Sequence, residues 1–456
     1  MTRLPHDVIG AGYVSTAGWT LLEDLVDLNN RMPGQEGERR AAERIERQFR
    51  EDGLRDVTVT EFPIPGWWRG RSSLELPERE QRFGRSHEIV ALPGTPAGEV
   101  AGEIVDVGYG LAADFEGVDL EGKIVMASSL TPESHDRWVH RCEKYGYAVE
   151  AGASGFLFYN HLEGNLPPTG DVGERNGPAA IPAVGISREL GKRLVRYCAD
   201  GPERAVLTVD CRNEPATTRN VEAVVGPDTD REVLFTAHVD AHDVGTGAND
   251  NGFGCALVVE VARLLRAVED DLDTRVRFVT FGAEETGLYG SYYWTHTRDL
   301  STVKCVLNVD GAGYSRSLDV HPHGFDGIGE VFEEVSDEYG VPISIGERLR
   351  PHSDHWPFVQ RGVPGAQGRS LSSDNSRGWG HTHGDTLDKL DVRDLRDLAI
   401  LCASGVKELA SADREFEHVP SEAVRETAVE QGFEEGLRRT GTWPWAEEQA
   451  DWPWEA

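Results

Sequence analysis

Residues 237–252 read AHVDAHDVGTGANDNG and join an apolar strand, VLFTA, to an apolar helix, GCALVVEVARLLRAV. The sixteen positions hold two His and three Asp. Carboxylates at this density repel one another and are costly to bury without a counter-charge. Two later strands end in the same way: VRFVTFGA runs into Glu284-Glu285, and VLNV runs into Asp310. In an open α/β sheet the ligand site lies beyond the carboxyl ends of the strands, so the three ends are expected on one rim. An Asp at a helix start is usually a cap, which suits Asp250 alone but not three strand ends together. Carboxylates with neutral His and no thiolate are the donors a zinc-like divalent ion takes. Two such ions about 3.5–4 Å apart, sharing one carboxylate, would balance the charge and suit hydrolysis.

From this stretch outward the chain reads as an α/β fold, a mixed and mostly parallel sheet sandwiched by helices. The evidence is alternation: near-continuous apolar strands (REVLFTA, TRVRFVTF, VKCVLNV, GVPGAQ) are separated by helices such as IGEVFEEVSDEYG and VRDLRDLAILCASGVKELASA. Strands of this kind are buried on both faces. Residues 15–55 add helices with apolar positions at three- and four-residue spacing, followed by a strand, DVTVTEFPI. Between 92 and 215 the texture changes to short β-rich pieces cut by Gly and Pro turns. The expected organisation is therefore 1–91 and 216–415 as one domain, 92–215 as an inserted module, and 416–456 as an acidic tail.

A fourth segment, GWGHTHGDTLDKLD at 378–391, follows the GVPGAQ strand and offers His381 and His383, with Asp385 able to orient either. A lone loop His usually faces solvent; arrival after another strand of the same sheet favours a ligand. Together these segments resemble the co-catalytic dizinc exopeptidases, which include bacterial secreted aminopeptidases and the plasma and glutamate carboxypeptidases. HVDAHDVGTGANDNG is similar to their H-x-D…D-x-G segment, GAEETG to their paired Glu, NVDG to their last Asp ligand, and HTHGDT to their H-T-x-x-D-T ending. SDHWPF (353–358) resembles an element near the substrate pocket, and RMPGQEG (31–37) an early turn.

The resemblance implies two Zn²⁺ per chain, with Co²⁺ or Mn²⁺ as substitutes. Asp250 would bridge them; His238 and Asp310 would complete one ligand set, Glu285 and His381 the other. Asp240 would orient His238, and Glu284 would be the general base. Ser353, Asp354 and His355 would contact substrate, and the Asp250–Asn251 peptide would be cis. His383 falls at a position that varies in that ending, and His242 and Asp243 match no ligand, which puts them behind the ligands or at the rim. The 92–215 region resembles the protease-associated domain found inside several such enzymes, through GKIVMASS, AGASGFLFYN and IPAVGIS.

The implied activity is hydrolysis of terminal peptide bonds, with an aminopeptidase as the first reading. A carboxypeptidase or dipeptidase is the alternative, since Arg348, Arg350, Arg361, Arg369 and Arg377 could meet a substrate carboxylate. A glutaminyl cyclase would share part of the fold but hold one zinc. A non-catalytic receptor-like homologue is a further alternative, against which the full ligand set counts.

Composition sets the remaining limits. Lys+Arg 46 against Asp+Glu 79 gives a formal charge of −33, which argues against nucleic-acid and anionic-membrane partners; the resemblance implies a peptide substrate. A dispersed acidic surface with only six Lys suits a protein adapted to high salt; an ordinary acidic enzyme is the simpler reading. The six Cys are scattered without a CxxC and read as free thiols. No long apolar run or charged-then-apolar leader is evident, so the expected location is the cytoplasm. The tail carries TWPWAEE and DWPWEA, and its four Trp are expected to pack on the chain itself or on a partner subunit, unless its charge and Pro keep it disordered. Oligomeric state is not legible.

Overall fold

The computed structural model describes residues 3–371, 379–446 and 450–455. The chain divides into two units, Met1–Phe62, Thr217–Gly380 and Asp385–Ala428 in the first, and Pro63–Ala216, His381–Gly384 and Val429–Ala456 in the second.

Four parallel strands form the centre of the first unit, in the order Arg275–Phe281, Glu232–His238, Val303–Val309 and Gly365–Ser370. Leu318–His321 runs antiparallel beside the last of these. Every residue of Glu232–His238 and Val303–Val309 is buried, as near-continuous apolar runs require of strands covered on both faces. Alternate side chains serve opposite layers: Val233, Phe235 and Ala237 join the core with Phe253, Leu257 and Leu398, while Leu234 packs with Phe281, Trp294 and Phe358. Each such large apolar side chain contributes about 1.5–3 kcal/mol on burial. The helix Phe253–Arg266 follows the 237–252 segment and packs against Ala17–Val26 and Val392–Leu409. The mixed, mostly parallel α/β sheet expected from the alternation is present.

The second unit has its own parallel series, Gly98–Asp106, Ile124–Ser128, Gly155–Tyr159 and Ala183–Ile186, with Ile89–Ala91 antiparallel at its end. Val125, Ala127, Phe156 and Phe158 form its core with Tyr145 and Ala148 of the helix Arg141–Glu150. The unit takes in Pro63–Ala216 and the chain from Val429 onward. The strands Arg55–Leu76 and Glu203–Val225 run unbroken through both borders, so no turn residue marks them.

The tail packs on its own chain. Arg137 Nε donates to the Gly432 carbonyl at 2.7 Å, Tyr147 Oη to Glu435 at 3.2 Å, and Arg175 Nη1 to the Ala450 carbonyl at 2.7 Å. Arg175 also lies 4.1 Å over the Trp452 ring, and Trp443 and Trp452 are 2% and 5% exposed. Among the described residues all six Cys are free, and no helix is long and apolar enough to cross a membrane.

Candidate active site

His238 is the last residue of its strand, Asp310 follows Val309 directly, and Glu284 lies three residues beyond Phe281. The pairing of Phe281 with His238 sets two of these ends level. His238 is fully buried, and its Nε2 makes no hydrogen bond; it faces Asp250 Oδ1 at 3.2 Å, Asp310 Oδ1 at 3.7 Å and Glu284 Oε2 at 4.0 Å. Two donor groups result, His238 with Asp250 and Glu285, and His238 with Glu284 and Asp310, each with its donor atoms within 4.8 Å of one another. A buried imidazole nitrogen with no hydrogen bond, surrounded by carboxylate oxygens and no sulfur, is the donor chemistry of zinc.

The electrostatics agree. Burial alone would lower the His238 pKa, but Glu284 and the carboxylates of Asp240, Asp250 and Asp310 hold it well above the ordinary value. The Glu284 carboxyl is pushed well above its usual range, first by burial and then by Asp310 and Glu285, although His238 opposes this.

Main-chain hydrogen bonds fix the arrangement. Asp240 accepts from the amides of Glu284 at 3.1 Å and Glu285 at 3.0 Å, so one buried carboxylate positions both. The contact of His238 Nδ1 is with the Asp240 carbonyl at 3.2 Å, closer than the carboxylate at 3.6 Å. The Asp250–Asn251 peptide is cis, as the resemblance implied, and Asn251 Nδ2 donates to the Val309 carbonyl at 2.9 Å. Gly247 is left-handed (φ 60°), and a Cβ there would meet Ala241 Cβ at 2.3 Å.

Two supports of this loop were not recognised in the sequence. Asp385 accepts from the amides of Asn249 at 2.7 Å and Asp250 at 3.1 Å, so its carboxylate holds the Asp250 turn. Arg31 is buried and donates to the carbonyls of Leu25, Val239, Thr246 and Gly247 at 2.9–3.1 Å. Their signal was present in HTHGDT and RMPGQEG, but only the tertiary structure supplies the partners.

Ser353, Asp354 and His355 are fully buried, unlike side chains that would meet a substrate. Ser353 Oγ donates to Asp310 Oδ2 at 2.8 Å and accepts from Asn308 Nδ2 at 2.9 Å. Asp354 accepts from Ser291 Oγ at 2.6 Å, and burial pushes its carboxyl up to about 8. The ring of His355 stacks on His323 at 4.4 Å. These residues support the site from beneath. His381 belongs to the 381–384 segment of the second unit, where its Nδ1 lies 3.2 Å from the Thr169 carbonyl and its own carbonyl accepts from the Thr169 amide at 2.8 Å. His242, expected behind the ligands or at the rim, is 5% exposed, and its Nε2 lies 2.9 Å from Glu285 Oε2. Of the arginines considered for a substrate carboxylate, Arg350 donates to Gln367 and Arg361 to the Pro357 carbonyl; Arg377 lies outside the described residues.

Residues 220–406 match the model of Peptidase family M28, and residues 90–194 match the PA domain. Aminopeptidase YwaD of Bacillus subtilis (strain 168) is 28% identical over 400 residues, which cover 84% of this chain and 82% of that protein. Leucine aminopeptidase 2 of Trichophyton rubrum is 29% identical over 374 residues, covering 76% and 70%. The solved structure of BSAP, a zinc aminopeptidase from Bacillus subtilis, superposes with a TM-score of 0.68 at 25% identity over 90% of this chain and 98% of that one.

Proposed function

We infer, from the match of residues 220–406 to Peptidase family M28 and of residues 90–194 to the PA domain, that this chain is a zinc-dependent exopeptidase that removes residues from the amino termini of peptides. The observation that carries this reading is the pair of donor groups sharing His238 at the strand ends. We read the centre as holding two ions. Asp250 is assigned to both, His238 and Asp310 to one, and Glu285 and His381 to the other. A complete donor set of this kind, costly to keep buried without a cation, argues against a non-catalytic protein.

Bound zinc would supply Lewis acidity toward the scissile carbonyl and lower the pKa of a water in the site toward 7. Glu284 takes the proton of the attacking water and delivers it to the leaving amine. Burial raises its carboxyl pKa, the direction expected of a carboxyl that takes up a proton. Asp240 holds the amides of Glu284 and Glu285 together, so base and ligand keep their spacing. Ser353 steadies Asp310, and Asp385 steadies Asp250.

Paired peptides that differ only in a free or acetylated amino terminus test the direction of attack. Zinc-loaded protein should release the first residue of the free peptide and leave the acetylated one intact. Release of the carboxyl-terminal residue from both would establish a carboxypeptidase instead.

A further inference from the structure

We propose that His242 is an additional metal ligand of this chain, donating its Nε2 to the same ion as Glu285. The inference rests on the metal-centre reading above. None of the motif-matched ligands includes His242, which stands two residues past Asp240 in the opening segment.

Three observations carry it. His242 is buried at the carboxyl end of the His238 strand, with its Nε2 2.9 Å from Glu285 Oε2. Two donors held 2.0–2.1 Å from one zinc lie about 3.3 Å apart at a tetrahedral angle and about 2.9 Å apart at a right angle, the edge of a five-coordinate site. The His238–Asp250 separation of 3.2 Å and the His242–Glu285 separation of 2.9 Å match these two edges, so the cluster offers ligand-like spacing at two places. The segment bearing His242 is also pinned: the Ala241 amide donates to the Arg31 carbonyl at 3.1 Å, and Arg31 Nε donates to the Val239 carbonyl at 3.1 Å. A ring delivered by such a segment is placed before any ion arrives, as a ligand must be.

An imidazole that merely hydrogen-bonds Glu285 would orient that carboxylate without touching the ion. The two roles separate in a crystal structure of the full chain soaked in zinc, with the ions located by anomalous scattering. The proposal expects His242 Nε2 at about 2.0–2.1 Å from the ion that Glu285 binds. An ion on Glu285 with His242 Nε2 more than about 3 Å from it overturns the proposal while leaving the metal-centre reading intact. Absence of any ion at His238, Asp250 and Asp310 would instead remove that reading.

In solution, chelator competition on His242→Ala and His242→Asn should show one zinc weakened by 10-fold or more and the other unchanged. Far-ultraviolet circular dichroism identifies any variant that has not folded, and the wild-type crystal decides if neither does. Two zinc affinities within threefold of wild type in a folded variant would overturn the proposal.

Discussion

Arg31 donates four hydrogen bonds to main-chain carbonyls: Val239 within the segment that bears His238, Asp240 and His242, Thr246 and Gly247 just after it, and Leu25 of a separate helix. Burial lowers its pKa, and the nearby carboxylates of Asp385, Asp240 and Glu285 oppose that loss. It therefore has two roles, tying the loop and offsetting the negative charge of the carboxylates around it. Replacing it with Met leaves buried acceptors without donors, each costing about 1–3 kcal/mol. Arg31→Met should lower the melting temperature and weaken zinc binding about 10–100-fold, the range typical of groups that orient ligands. Arg31→Lys should not restore either, because an ammonium cannot reproduce the planar fork. Calorimetry and chelator competition measure the two effects; a Met variant with wild-type melting and zinc affinity would show that the loop holds itself.

At the scale of elements, the tail from Val429 is tied to the helix Arg141–Glu150 and to Arg175. Deleting residues 440–456 removes Trp443 and Trp452, each worth about 1.5–3 kcal/mol of burial. The truncated chain should melt earlier and bind more of a hydrophobic dye; unchanged melting and dye binding would make the tail dispensable. The sequence left the tail open because four Trp argue for packing while charge and Pro argue against it. The strand ends were legible for the opposite reason, since apolar runs stopping at His238, Glu284 and Asp310 carry burial and chemistry in the same few letters. The border at Pro63 was not legible, because a strand crosses it without a turn. Ser353 and Asp385 were placed near the site, but their partners lie far along the chain, where no local pattern could identify them.

Across the whole molecule, the excess of acidic residues that gives the −33 charge must be held together in solution. At 0.1 M salt the Debye length is about 10 Å, and at 1 M about 3 Å, so added salt quenches this self-repulsion. We propose that stability and activity rise with salt into the molar range; full stability at 0.1 M, measured by thermal melting, would mark an ordinary acidic enzyme.

The account as a whole turns on Glu284 and Glu285, adjacent carboxyls given different roles. Glu285→Gln removes an anionic ligand, so one zinc should bind weakly and activity should partly return with excess metal. Glu284→Gln should keep both ions and lose 10²–10⁴-fold in rate, with the loss in kcat rather than KM and no rescue by zinc. Zinc counted per chain by atomic emission on the two purified variants, beside their kinetics, is the most direct measurement. The account predicts two ions in Glu284→Gln and a weakened second ion in Glu285→Gln; loss of an ion from Glu284→Gln, with both retained in Glu285→Gln, would contradict it.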